Sequence, residues 1–273
     1  MDKDRIAQAH NPIGPTLMFK QFTGGEEISR PFEWRLELLA QQNANIAPGD
    51  LLGKDITIEL ITQGKGRRYF NGQVTRFTYI GKENAPGTDL WLYEARLRCW
   101  LWYLTREADC KIFQNKTVPD ILDEVFGKYP FPVEKILSGK YRQWEYCVQY
   151  QETDFNFVSR LMEHEGIYYY FKHEMGRHTL VLADDLGACQ PVPGYATIPY
   201  IPSDRLVSPR EEYVASWQIA QEVETGKYFT DDYYYLTPSA NLKRPRNHPY
   251  EHPHGDHLIY DWPGGYAKRI YPY

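Results

Sequence analysis

Four of the chain's eight histidines fall between His248 and His257, interleaved with Glu251 and Asp256. Imidazole and carboxylate are good ligands for zinc or nickel. The spacing is not the H-E-x-x-H of a helical metal site, and Pro249, Pro253 and Gly255 make the run an irregular loop, so the better reading is a solvated loop with no purposeful metal. His164 stands between Glu163 and Glu165, and a carboxylate beside a histidine raises its pKa toward acid–base use. Adjacent residues of a helix point in different directions, which separates the three and leaves a surface role. His173 and His178 bracket the loop of a predicted hairpin and receive the same surface reading. Asp184-Asp185 and Asp231-Asp232 offer paired carboxylates to a hard cation, but neither lies in a D-x-[DN]-x-[DN]-G loop, so they read as solvated turn acids. No serine sits in a G-x-S-x-G elbow. Ser159 falls on a helix, where it packs or bonds the backbone, and Gly64-Lys65-Gly66 lacks the surroundings of a phosphate loop. The residues thus supply no complete catalytic set. No catalytic, cofactor or metal residue is assigned, and the chain is expected not to be an enzyme.

Composition narrows the partners. A formal charge of −5 and a pI near 5.9 give no overall basic field for nucleic acid or anionic lipid. No stretch reaches the roughly 18 apolar residues of a membrane span, and the N-terminal MDKDRIAQAHNP lacks the apolar core of a signal peptide, so a cytoplasmic protein is expected. Cys99, Cys110, Cys147 and Cys189 are widely spread without a C-x-x-C pair, which predicts buried or partly buried free thiols rather than a disulfide framework.

The elements that must position these residues are mainly strands. The 23 tyrosines and 19 prolines suit half-buried pleated surfaces and the turns between them. From Leu17 to Leu104, strand patterns at Phe32 to Leu39, Ile56 to Ile61, Arg68 to Tyr79 and Leu90 to Leu97 are broken by Pro48-Gly49-Asp50, Gln63-Gly64-Lys65-Gly66 and Ala85-Pro86-Gly87. That spacing predicts a closed or nearly closed antiparallel barrel. After Leu104 the pattern changes. Thr117-Val118-Pro119-Asp120 has capping-box spacing with proline in the first turn, and Ile121, Leu122, Val125 and Phe126 follow on one face before Gly127. A second helix begins at Thr153 or Asp154 and carries Phe155, Val158, Leu161 and Met162 at helical spacing until Gly166 ends it. Ile167 to Phe171 and Thr179 to Leu182 then read as strands joined through Lys172 to His178. Ile112 to Asp184 is therefore a small α+β unit between strand-rich regions. Gln190 to Pro209 is a proline-rich connector, and Glu212 to Ile219 and Lys227 to Leu236 resume strand patterning, with Thr225-Gly226-Lys227 as a hairpin turn.

The run from Gln149 to Asp184, with E-x-D-F-x-F-x-S-R-L-x-E-x-E-G-I-Y-Y-x-F and then H-x-L-V-L-A-D, resembles the VgrG spike proteins of bacterial type VI secretion systems. Further matches follow the family order. They are Glu26 to Phe32, Leu51-Leu52-Gly53-Lys54, Phe70 to Thr75, Leu101 to Thr105, Ile112-Phe113-Gln114 and Tyr260 to Tyr266, so the resemblance runs from Leu17 to Tyr266.

The resemblance implies a structural hub like that of a contractile-phage baseplate. Two barrels per subunit form, in a homotrimer, a pseudo-sixfold ring that docks on the hexameric Hcp tube and helps deliver effectors by contractile injection. On this basis 1–104 is the main part of the first β-barrel, 105–189 an inserted α+β subdomain, 190–241 a connector with strands returning to that barrel, and 242–273 the beginning of a second, truncated barrel. Complete members continue into a β-helix needle, whereas this sequence stops at Arg269-Ile270-Tyr271-Pro272-Tyr273, as in a truncated product or fragment. For such a chain, a monomer or altered assembly stands beside the trimer. The alternative is a truncated or phage-derived hub-like module that binds an effector or adaptor. Localisation by resemblance is cytoplasmic before firing, with export by the type VI apparatus and no signal peptide. Arg160, Glu163 and Glu165 recur in the resemblance; for Arg160 both a local ion pair or backbone clamp and an intersubunit contact are open.

Overall fold

The first six strands are β1 (Ala7–His10), β2 (Met18–Gly25), β3 (Glu33–Gln41), β4 (Asp55–Thr62), β5 (Gly66–Ala85) and β6 (Thr88–Arg98). They form one sheet in the order β1-β4-β5-β6-β3-β2, and every neighbouring pair is antiparallel. In β3, Trp34, Leu36, Leu38 and Ala40 are buried while the residues between them are exposed or half-buried, the period-two pattern that turns one face inward. Register shifts at Phe19/Gln21, Val74/Arg76 and Tyr79/Gly81 bend the strands. Bulges increase twist. The result is a curled half-barrel in a mainly β fold, where the sequence predicted a closed or nearly closed barrel.

These coordinates come from a computed structural model that describes residues 6–42, 44–62, 66–85, 88–191, 195–202 and 213–264. The turn residues 63–65 and 86–87, the connector at 192–194 and 203–212, and Gly265-Tyr266 of the last motif lie outside the described residues. Two compact units divide the chain: Met1–Tyr200 with Arg205–Tyr213, and Ile201–Asp204 with Val214–Tyr273.

Within the first unit, a 3-10 helix at Trp100–Thr105 leads into β7 (Ala108–Phe113), α1 (Val118–Phe126), β8 (Val133–Ile136), β9 (Cys147–Thr153), α2 (Asp154–Glu165), β10 (Tyr168–Glu174) and β11 (Arg177–Ala183). α1 starts as its sequence requires. The Asp120 amide donates to Thr117 Oγ1 at 3.3 Å and the Thr117 amide to Asp120 Oδ2 at 3.0 Å, a reciprocal cap. For α2 the structure chooses Thr153 as the cap, its hydroxyl accepting from the Asn156 amide at 3.1 Å. Gly166, at φ 72°, ends α2 in the left-handed region, and the Ile167 amide reaches back to the Met162 carbonyl at 2.8 Å.

The buried stripe of α2 is Phe157, Val158, Leu161 and Met162, with Phe155 only half-buried. Phe157 displaces Phe155 because its ring stacks on Phe113 of β7 at 5.2 Å. The predicted loop Lys172 to His178 is also shorter than its charge suggested. Strands β10 and β11 stay paired to Glu174↔Arg177, leaving Met175-Gly176 as the turn, and β8 adds in parallel on the other side of β11. A single apolar cluster joins the sheet, both helices and the hairpin.

The second unit holds β12 (Lys227–Thr230), β13 (Arg244–Asn247) and β14 (Leu258–Asp261). β12 is central, antiparallel to β13 and parallel to β14. Two expectations fail here. Residues 213–219 form no strand, and the pattern at Lys227 to Leu236 shortens to four residues. Thr225-Gly226-Lys227 is not a hairpin turn, because β12 takes both partners from later in the chain; Gly226 is fixed by contact, since a Cβ there would meet the Gly255 carbonyl oxygen at 1.9 Å. Buried apolar residues are few in this unit, with Tyr234 and Leu242 forming the described cluster.

Opposite Asp109 and Cys110, Gln151 is the extra residue of a bulge in β9, and it adopts φ 50°. A left-handed conformation costs a non-glycine residue about 1–2 kcal/mol, more than the roughly 0.5–1 kcal/mol that glycine's extra freedom in the unfolded chain costs. Gln151→Gly is therefore expected to raise stability by about 0.5–1 kcal/mol, read as a higher urea midpoint with an unchanged slope. A lower midpoint refutes the bulge assignment.

Candidate functional site

Strand register gathers the polar residues of β1, β4 and β5 on one face. Thr57 lies opposite Asn71 and His10, and Asp55 lies opposite Gln73 two pairs along, on the same face. Asn71 is fully buried, and both its amide nitrogen and its side-chain oxygen are bonded. Its Nδ2 donates to Thr57 Oγ1 at 2.7 Å and to Asp55 Oδ2 at 3.0 Å, while Oδ1 bonds His178 Nδ1 at 2.8 Å. The Asn71 amide donates to His173 Nδ1 at 3.2 Å, and His173 Nε2 lies 2.6 Å from Glu26 Oε1. Beyond His178, the Trp100 amide donates to Nε2 at 3.0 Å. The partners fix both tautomers: His178 accepts at Nε2 and carries its proton on Nδ1, whereas His173 accepts at Nδ1 and donates from Nε2.

The two histidines face each other across the hairpin and sit among Phe32, Phe171 and Trp34, with ring centroids 5.0 to 5.6 Å away. Burial, reinforced by His173 nearby, pulls the His178 pKa from 6.5 down to about 3, so the ring is neutral in the folded protein. The surface reading of His173 and His178 is thus corrected. Loop-like charges around them hid a strand alternation in which Phe171, His173, His178, Leu180 and Leu182 all turn to the sheet.

Other sequence candidates remain apart. His252 Nδ1 lies 3.0 Å from the Pro253 carbonyl, the His254 and His257 rings stack at 5.6 Å, and Asp256 pairs with Lys227 at 3.3 Å. Among the described residues, no group of three or more His, Cys, Asp or Glu is placed to hold a metal ion. His164 Nε2 lies 3.3 Å from Arg142 Nη2, and its ring meets Trp144 edge-on. Asp184 is not a solvated turn acid. It accepts from the Ser138 and Gly139 amides at 2.9 and 2.6 Å and from the Tyr141 hydroxyl at 2.7 Å. Partial burial opposes its ionisation, but these donors outweigh it and lower the pKa to about 2. Asp185 caps the next turn by accepting from the Gly187 amide at 2.7 Å. Asp231 accepts from the Asp232 amide at 2.8 Å, and Ser159 Oγ is buried with no bond among the described residues.

Cys99 and Cys147 are buried, as expected of inert thiols, but Cys110 and Cys189 are exposed. Cys110 sits beside the bulge within β7, and Cys189 follows the short 3-10 turn Leu186–Ala188. Arg160 grips Glu152 with Nε and Nη2 at 3.0 and 2.7 Å and donates from Nη2 to the Val148 carbonyl at 2.7 Å. It is both ion pair and backbone clamp, on β9 rather than within its own helix.

No arrangement of nucleophile, base and electrophile emerges from these contacts. What the second unit presents instead is exposed aromatic and aliphatic surface. Tyr228, Leu258, Ile259, Tyr260 and Trp262 are 40 to 59% exposed along and beside its short strands.

A mainly β chain built on a curled antiparallel half-barrel sheet is similar to phage tail hub folds. The chain belongs to the phage tail baseplate hub (GPD) family, which it matches over residues 25–270. It is 42% identical over 271 residues to the type VI secretion system spike protein VgrG1a of Pseudomonas aeruginosa, covering 98% of this chain and 41% of that protein. VgrG1b of the same organism is 42% identical over 266 residues, covering 97% of this chain and 35% of the relative. The chain therefore spans about two-fifths of the length of these relatives. Among solved structures, a type VI secretion component of E. coli, described as similar to the T4 tail proteins gp27 and gp5, superposes with a TM-score of 0.59 at 26% identity, over 73% of this chain and 53% of that one. The 43 kDa tail protein of prophage MuSo2 from Shewanella oneidensis shares the fold, with a TM-score of 0.54 at 14% identity over 93% and 73% of the two chains.

The buried neutral His178 sets a pH dependence. Between pH 6.5 and about 3 the unfolded chain binds a proton that the native ring refuses. Its stabilisation is full above pH 6.5 and is lost as pH falls, at up to about 1.4 kcal/mol per pH unit. His178→Gln is expected to be less stable than the parent at pH 7.5, with the gap narrowing by pH 5. Urea midpoints at the two pH values measure this, and a gap that widens on acidification contradicts it.

Proposed function

We propose that the chain forms the hub-like base of a type VI secretion spike, trimerising and docking on the end of a hexameric Hcp tube so that effectors travel with the spike. Family membership together with 42% identity to VgrG spike proteins across nearly the whole chain carries this reading. The role proposed is structural rather than enzymatic, and the engagement of Asp184 by backbone amides, of Arg160 by β9 and of His178 by Asn71 supports it.

In this reading, 1–104 and the strands returning in 190–241 make the first barrel, 105–189 is the insertion, and 242–273 opens the second barrel. Three subunits with two barrels each present six similar edges to a sixfold tube. The exposed Tyr228, Ile259, Tyr260 and Trp262 suit subunit or tube contact, since tyrosine and tryptophan anchor interfaces at low entropic cost. An effector or adaptor is a further partner. Among the described residues, no helix is long and apolar enough to cross a membrane. The proposed route is assembly in the cytoplasm and export by the secretion apparatus.

Light scattering and negative-stain microscopy of the chain mixed with Hcp test the proposal. Threefold particles capping Hcp rings are expected, and Tyr260→Ser with Trp262→Ser is expected to weaken capping at least tenfold. A chain that stays monomeric and ignores Hcp at high concentration refutes it.

A further inference from the structure

Beside the Asn71 joint, an open cavity of about 630 Å³ lies between the half-barrel sheet and the β10–β11 turn. Its polar wall contains Lys54, Asp55, Thr57 and Gln73, and its apolar wall includes Phe131 and Met175. The size is ordinary for a small-molecule site.

The polar wall is incompletely satisfied. Gln73 is 7% exposed, and its amide has no hydrogen-bond partner among the described residues although it lines the cavity. Thr57 Oγ1 accepts from both Asn71 Nδ2 and the Gly176 amide, at 2.7 and 3.0 Å, which leaves its own proton to donate. Asp55 gives only Oδ2 to Asn71. Lys54, exposed at the rim, makes no ion pair or side-chain hydrogen bond among the described residues, not even with Asp55 beside it. His10 is already committed to Glu59 at 2.6 Å.

One unpaired cation and one half-used carboxylate thus share a cavity without reaching each other. We propose that this cavity binds a small zwitterion, with a carboxylate on Lys54 and the Gln73 amide, an ammonium on the free oxygen of Asp55, and an apolar side chain against Phe131 and Met175. The chemistry is that of a free α-amino acid or of a very short peptide. A dianion such as phosphate meets the Asp55 charge, and a bare cation meets Lys54, so neither satisfies both ends. The inference does not rest on the spike assignment, and failure to cap Hcp leaves it unaffected.

Calorimetric titration of the purified chain with L-leucine, leucyl-leucine, isopentylamine, 4-methylpentanoate and inorganic phosphate is the test. Leucine or the dipeptide is expected to bind with a Kd of about 1 mM or tighter. Whichever is stronger identifies the source. The single-charge analogues and phosphate are expected to bind at least tenfold more weakly. Lys54→Met changes an exposed side chain and is expected to lower affinity at least fivefold with the same circular dichroism and melting temperature; Gln73→Leu is expected to lower it in the same direction. No saturable binding by either zwitterion, or equal binding by the amine or the acid alone, overturns the proposal and leaves the cavity to solvent.

Discussion

A buried asparagine loses stability for each polar group left without a partner. The first unit depends on how Asn71 meets that constraint. Its side chain is bound by Thr57 and Asp55 from the neighbouring strand and by His178 from the hairpin, while its backbone amide holds His173. Each bond adds only about 1 kcal/mol net, but an orphaned partner in this dry setting costs about 1–3 kcal/mol. The joint therefore specifies geometry more than it adds stability. Apolar packing of Phe32, Trp34 and Phe171 supplies the driving force, and the polar contacts select one seating of the hairpin on the sheet.

The same joint explains which parts of the fold were legible in sequence. Patterns that depend on near neighbours could be read directly: the alternation in β3, the capping box of α1, and the glycine after α2 are all written within a few residues. The identities of Asn71, His173 and His178 carried no such local signal. Their partners are tens of residues away, and histidine beside lysine, glutamate and arginine looks like surface until the strand register is known. Asp184 was missed for the same reason, since the Ser138 and Gly139 amides that neutralise its isolation come from a distant loop. The histidine-rich loop failed in the opposite sense. Local density suggested convergence, but proline and glycine turn its rings onto each other and onto carbonyls.

The second unit was harder still. Strand patterning near Lys227 shortens to four residues whose partners both lie downstream, so no hairpin spacing announces them. With Tyr234 and Leu242 as its described buried cluster, this unit buries little apolar surface by itself. Its aromatic side chains are left largely exposed along and beside the short strands. The sequence showed the tyrosines and tryptophans, and only the three-dimensional arrangement showed that so few of them turn inward.

The Asn71–His178 contact closes a separation of 107 residues, and the Trp100–His178 contact one of 78. Neither can form until β5 and the hairpin each hold their correct pairing. Were β5 displaced by a single residue, Phe70 or Gly72 would replace Asn71, and neither side chain can accept from His178 or serve Thr57. The polar joint thus acts as a proofreader of strand register. It rewards only the one alignment in which the half-barrel sheet and the β10–β11 hairpin fit together.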